Sequence, residues 1–265
     1  DPQGRHLWAQ TRVSLEAEWI ASPGPKGVYL SGLAASEIYL NGVRIGANGL
    51  PGDNAGQERA GRIDFAAHAP RDLFVAGENT LAIRLSSHHG FLTLTSPMQS
   101  FFLAEYGSPT DRILQYYWPS LIMFGVFALG ALVFAAMAVR AERREEPIIL
   151  VGLSAALGAQ LLIEAARGLI SYPYPLHDAR LIGIVASAFG VSLSLMALTL
   201  KRFTSLSFGR RSLALGGYAA ILAFPILLMR GFDGKTWGVL ALALALCALL
   251  SGYQGLKGRR EALVH

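Results

Sequence analysis

The sequence predicts two fold classes in tandem: a β-sandwich over residues 1–111 and an all-α transmembrane helical bundle over residues 112–265. Three observations carry this reading. Only 15% of the 265 residues are charged and 52% are hydrophobic, with a mean hydropathy of +0.40, far short of the roughly 25% charge of a soluble domain. The charge is also unevenly placed. Residues 1–111 hold 8 basic against 11 acidic side chains, and residues 112–265 hold 15 against 7. Finally, long uncharged runs crowd the second part, whereas short alternating segments and turns fill the first. The basic part is the apolar part, so the net charge of +5 reads as membrane topology and gives no support to a nucleic-acid partner. The lipid bilayer is the partner that composition implies.

In the first part, alternation is visible in Leu7, Ala9, Thr11, Val13 and Leu15, and again in Leu81, Ile83 and Leu85, the period of a half-buried strand. Asn41-Gly42 between Ile38-Tyr39-Leu40 and Val43-Arg44-Ile45 is a hairpin signal, because both residues tolerate positive φ. Gly77-Glu78-Asn79 predicts a turn before the strand Thr80 to Leu85. The Gly-, Asn- and Asp-rich stretch from Ala47 to Arg62 predicts a long loop at one end of the sandwich. Cys247 is the single cysteine, so this domain is held by its core without an intrachain disulfide. No charged-then-apolar leader stands at Asp1, which predicts that any signal segment is already removed or not included.

In the second part, Ser120 to Val139 is a 20-residue run without charge, enough to cross about 30 Å of hydrocarbon. Tyr116, Tyr117 and Trp118 precede it as an aromatic belt. Further spans are predicted at about 148–170, 181–200, 212–229 and 237–256, with Pro225 expected to kink the fourth. Arg140, Arg143, Arg144, Lys201, Arg202, Arg210, Arg211, Lys257, Arg259 and Arg260 all fall at one side of the five spans. The positive-inside rule then predicts a multi-pass protein of the bacterial inner membrane, with the N-terminal domain periplasmic and the C-terminus cytoplasmic.

Residues Ile38 to Gly46, with Asn41-Gly42 at the centre, and the Gly77-Glu78-Asn79 turn leading into a strand resemble the paired motifs of galactose-binding-like jelly rolls. Such a domain ahead of a helical bundle resembles the bacterial seven-transmembrane receptors with diverse intracellular signalling modules. The resemblance implies a jelly roll that senses a carbohydrate or other small extracytoplasmic ligand. It also implies relay through the bundle to a cytoplasmic histidine kinase or diguanylate cyclase module in the same polypeptide, and function as a homodimer. Five spans stand where the family has seven, and no output domain is present. The expectation is therefore a piece ending after the fifth span, or a divergent member. The alternative is a membrane-anchored carbohydrate-binding or envelope-assembly module without signalling.

Candidate ligand contacts are Asp53, Asn54, Arg59 and Arg62 in the long loop and the His88-His89 pair after a strand. The plainer readings are a solvated loop and a polar turn, since adjacent strand histidines point to opposite faces. Trp8, Trp19, Tyr29 and Tyr39 would serve either as a sugar platform or as core. Glu164 and Arg167, three apart near the outer end of the second span, are expected to share a helix face and pair. With Tyr172, Tyr174, His177 and Arg180 in the following loop they are predicted to couple the domain to the bundle. The plainer account is a structural ion pair below a headgroup-level aromatic anchor. Nothing nominates a catalytic site: phosphate loops, Cys-x-x-Cys, His-Glu-x-x-His and Gly-x-Ser-x-Gly are missing from the sequence, and Glu16 with Glu18 is an isolated acidic pair. No cofactor and no metal site is predicted.

Overall fold

Alternation along residues 6–15 and 77–86 produces two ten-residue strands, β1 (His6–Leu15) and β6 (Gly77–Ser86), paired antiparallel along their whole length. In the computed structural model, which describes residues 1–257, five further strands complete the N-terminal part. They are β2 (Lys26–Gly32), β3 (Ala35–Leu40), β4 (Val43–Asn48), β5 (Asp64–Ala69) and β7 (Met98–Glu105). A five-residue helix α1 (Ala17–Ala21) follows β1. The strands form two antiparallel sheets, ordered β1-β6-β3-β4 and β5-β2-β7. Val28, Leu30 and Ala67 from one sheet join Ile38, Leu40, Leu81, Ile83 and Leu85 from the other in one buried cluster. Each fully buried large side chain there contributes roughly 1.5–3 kcal/mol.

The two sequence motifs meet in space. Asn41 and Gly42 both take positive φ, 49° and 85°, as a tight hairpin turn requires. The Asn41 amide donates to Asn79 Oδ1 at 2.9 Å, and its own Oδ1 accepts from the Thr80 amide at 2.7 Å. Asn79 is completely buried and also closes its own turn through Val75 and Gly77. The hairpin and the turn are thus one polar knot at the end of β3 and β6.

Five helices among the described residues are long and apolar enough to cross a membrane: α2 (Pro109–Arg140), α3 (Glu145–Leu169), α4 (Pro175–Phe203), α5 (Phe208–Leu228) and α6 (Phe232–Leu256). They are the helices of a multi-pass membrane protein. α2 begins about three turns before the apolar run at Ser120, because Pro109 at its start pre-sets the helical φ. Pro225 lies inside α5. Glu145 and Glu146 at the start of α3 meet Lys201, Arg202 and Arg211, with Arg211–Glu145 at 3.0 Å. Arg259 and Arg260 of the predicted basic set lie outside the described residues.

The chain divides into two compact units. Among the described residues, the first comprises 1–117 together with 166–180, and the second 118–165 together with 181–257. The segment joining the second and third long helices therefore belongs to the β-domain's own unit. In the second unit, Ala188, Met196, Leu222, Val239, Ala243 and Cys247 anchor a buried cluster between α4, α5 and α6.

On the outer face of the four-stranded sheet, Glu37 is 5% exposed and accepts from Arg44 at 2.9 Å, Arg84 at 3.1 Å and Tyr39 at 3.2 Å. Burial pushes its carboxyl upward, but the bonds from Arg44, Arg84 and Tyr39 outweigh this and hold it below the usual value of 4.5. A carboxyl lowered in the folded state contributes stability above its unfolded value, and that contribution disappears as pH falls through the lowered one. Glu37→Gln is expected to cost about 1–3 kcal/mol at pH 7. Thermal unfolding of the solubilised full chain checks this, with the gap to wild type closing only below pH 4.5.

Candidate functional site

The loop after α3 is stitched into the β-domain by backbone and side chains together. Tyr174 N–H donates to Gly61 O at 2.8 Å and Ile63 N–H to Tyr172 O at 3.2 Å, a short antiparallel bridge centred on Arg62 and Pro173. Tyr172 and Tyr174 are buried with Leu33 and Ile63 in a small cluster of their own. Asn48 holds the receiving edge, accepting from Arg62 N–H at 2.7 Å and donating to Arg62 O at 2.8 Å.

Glu58, 6% exposed, is the polar centre of this join. Its carboxylate accepts from the Tyr174 hydroxyl, from Ser86 Oγ at 2.5 Å and from the His88 amide at 3.1 Å. The Tyr174 oxygen in turn accepts from the His89 amide at 2.9 Å. Burial, and the bond donated to Glu58, push the Tyr174 phenol well above its ordinary range, so it remains a donor. Burial likewise raises Tyr172, with the charges of Arg180 and Arg167 pulling it down. Tyr172 Oη lies 3.1 Å from His177 Nδ1, and the two rings stack. Asp178, fully buried in the first turn of α4, accepts from the Phe91 and Leu92 amides at 2.7 and 3.0 Å.

Arg167, in the last turn of α3, makes the other tie. Nε and Nη2 both reach Asp64 at 2.7 Å, a bidentate pair, while Nη1 donates to Gln99 at 2.7 Å and Nη2 also to Ser31. Asp64 and Ser31 face each other across β5 and β2 and are themselves bonded at 2.5 Å. The spacing in α3 points to Glu164 as the partner of Arg167. The structure supplies Asp64, 103 residues away in sequence, and Glu164 accepts from Gln160 at 3.2 Å.

Beside this pair is a cavity of about 460 Å³ lined by Tyr29, Ser31, Asp64, Phe102, Arg112, Tyr116 and Arg167 among others. Tyr29 stacks on Phe102 with ring centroids 5.2 Å apart, and Arg112 Cζ sits 4.6 Å from the Tyr29 ring. Tyr29 is buried, and its hydroxyl donates toward the carbonyls of Glu105 and Gly107.

The predicted site residues fall into separate places. His88 and His89 come together with Tyr174, and His177 with Tyr172. Each histidine of the pair directs Nε2 to a different backbone carbonyl, His88 to Gly52 at 3.0 Å and His89 to Glu58 at 3.1 Å. Asp53 pairs with His6 at 2.6 Å. Asn54 caps its own turn through the Gly56 and Gln57 amides. Arg59 and Arg62 keep exposed side chains and contribute backbone. Arg180 is half-buried on α4. Of the four aromatics, Trp19 packs edge-on to Phe74 in the core, Tyr29 lines the cavity, and Trp8, 60% exposed, leans on Tyr39 at 5.2 Å. Glu58, Asp64 and Arg112 are not among the predicted site residues, whereas Asp178 stands inside the loop expected to couple the domain to the bundle. Asp64 alone left a trace, as a lone acid between Ile63 and Phe65.

No family model matches the chain, and no curated protein does. Among solved structures, a β-D-mannosidase from Dictyoglomus thermophilum is similar at 28% identity over 32% of this chain, with a TM-score of 0.24. The chain spans only 9% of that enzyme, and so low a structural score leaves its activity out of the argument.

Two outcomes follow from this geometry. Removing the phenol in Tyr174→Phe strips Glu58 and the His89 amide of a partner, at a local cost of about 1–3 kcal/mol. Hydrogen exchange at the Ile63, Tyr174 and His89 amides is expected to rise roughly tenfold or more, with strand amides of β6 unaffected. Arg167→Met and Asp64→Asn should each destabilise the chain by about 3 kcal/mol, because each leaves a mostly buried ionic partner uncompensated. The double variant is expected to lose clearly less than the sum, a coupling read by thermal unfolding of all four proteins.

Proposed function

We propose that the chain is the sensory and membrane portion of a transmembrane signal-transduction receptor. In this reading a jelly-roll sandwich faces the periplasm, the bundle sits in a bacterial inner membrane, and a cytoplasmic signalling module in the same polypeptide reads the bundle. The jelly-roll assignment is supported by the two sheets sharing one core and by the bond between Asn41 and Asn79. The inward C-terminus is supported by the basic residues at one side of the spans.

One observation carries the functional reading: residues 166–180 belong to the β-domain's unit, although they join two membrane-crossing helices. The end of α3 is held through Arg167 and the start of α4 through Asp178. α2 likewise starts within that unit, with Arg112 on the Tyr29 ring. A ligand that binds two arrangements of the β-domain unequally would then bias three helices at once. A simple anchor needs a single flexible connection, and three built-in helix ends go beyond that requirement.

A second reading, the membrane-anchored carbohydrate-binding module, draws on exposed Trp8 with Tyr39, Arg84 and Glu37 on the same sheet face. The experiment that separates them places spin labels at Arg143→Cys and Ser205→Cys, in a Cys247→Ser background in nanodiscs. Releasing the Asp64 tie with Arg167→Met should shift the label distance by at least about 1–2 Å, the scale of helix displacements in switching proteins. An unchanged distribution would remove the receptor reading, and glycan binding by that protein would favour the anchored module.

A further inference from the structure

We propose that the cavity beside Asp64 and Arg167 is a binding site for an anionic amphiphile, a carboxylate or phosphate carried on an acyl chain. Its volume of about 460 Å³ falls in the ordinary range for small-molecule pockets. The charges around it are unequal in availability. Arg167 is committed to Asp64, Ser31 and Gln99, so that ion pair is a neutral, rigid wall. Arg112 is not committed in that way. Of its five N–H donors, one bonds the Glu105 carbonyl at 3.1 Å among the described residues, and the guanidinium rests on the Tyr29 ring. It offers the cavity a positioned cation with donors left for an anion.

The remaining wall is aromatic and aliphatic: Tyr29 stacked on Phe102, then Ile113 and Tyr116. Tyr29 is 4% exposed, with Phe102 and Arg112 against its ring, which leaves it no open face for a neutral sugar ring. An acyl chain needs no such face and gains from lying along this wall. The place in the chain fits as well. Arg112 is two turns before the uncharged run at Ser120, and Tyr116 at its rim is 82% exposed, where aromatic residues mark the headgroup level of a bilayer. An anionic lipid or a fatty acid from that leaflet presents the required chemistry at that depth.

The test uses the full chain purified in dodecyl maltoside, itself a neutral amphiphile in large excess. Native mass spectrometry then follows oleate and lysophosphatidylglycerol. One adduct per chain is expected for each. Binding should fall at least tenfold in Arg112→Gln and remain at the wild-type level in Arg140→Gln, which removes a cation from the other end of the same helix. Ile113→Trp, filling the cavity while keeping the charge, should also abolish the adduct, with melting temperatures recorded for each variant. Absence of an adduct, equal loss in Arg140→Gln, or displacement by inorganic phosphate as effective as by lysophosphatidylglycerol would overturn the proposal. The proposal deepens the receptor reading by naming the class of occupant, and rests on it only for the consequence of binding. A cavity adduct without any change in the 143–205 label distance would uphold the site and overturn the receptor.

Discussion

A guanidinium at the end of an apolar helix has to be neutralised, and the bidentate pair of Arg167 with Asp64 is the constraint on which the first unit depends. A lone charge within a span costs roughly 2.5–3.5 kcal/mol at the centre of the bilayer and less near its edge. Asp64 removes that penalty only if the end of α3 and strand β5 are held at hydrogen-bonding distance. Ser31 and Gln99 accept two further bonds from the guanidinium, so the arginine touches all three strands of the smaller sheet. The strands thereby fix the position of the last helical turn.

The same logic recurs five to seven residues later, at Tyr172 and Tyr174. A loop crossing between two long helices carries backbone groups that must be satisfied, and water is one way to satisfy them. Here the Tyr172–Tyr174 segment pairs with Gly61–Ile63 instead, and the phenol of Tyr174 meets the buried carboxylate of Glu58. That carboxylate also accepts from Ser86 and His88. A half-satisfied buried network would be worse than an apolar contact, and the number of partners on Glu58 is what makes the join specific. The domain is therefore built from two separated stretches of chain, neither of which satisfies these groups alone.

Much of the architecture was legible because it rests on short-range periodicity. The alternation at Leu7–Leu15, the Asn41-Gly42 turn and the five apolar runs report local geometry directly, and each became the expected element. The ends were less legible. α2 and α4 extend past their apolar runs, since Pro109 and Pro175 can start a helix in a polar segment. The candidate site was legible in part. Arg167, Tyr172, Tyr174 and His177 stand out in the sequence as unusual residues beside a span, whereas Asp64 and Glu58, the acids that meet Arg167 and Tyr174, stand out little. An acid in a strand or a Gly-rich loop carries no local mark of the partner it will meet a hundred residues on.

The sequence by itself determined the two classes of structure, the number of long apolar helices and the basic side of the spans, because hydropathy, turn chemistry and charge counts act within a few residues. Only the tertiary structure decided that residues 166–180 belong with the β-domain, that Asp64 neutralises Arg167, and that a cavity opens beside Arg112. These depend on bringing distant segments to within about 3 Å, where desolvated charges and hydrogen-bond donors select their partners by geometry. A helix-face spacing names the neighbours available within one element, and the ionic partner came from a strand in another.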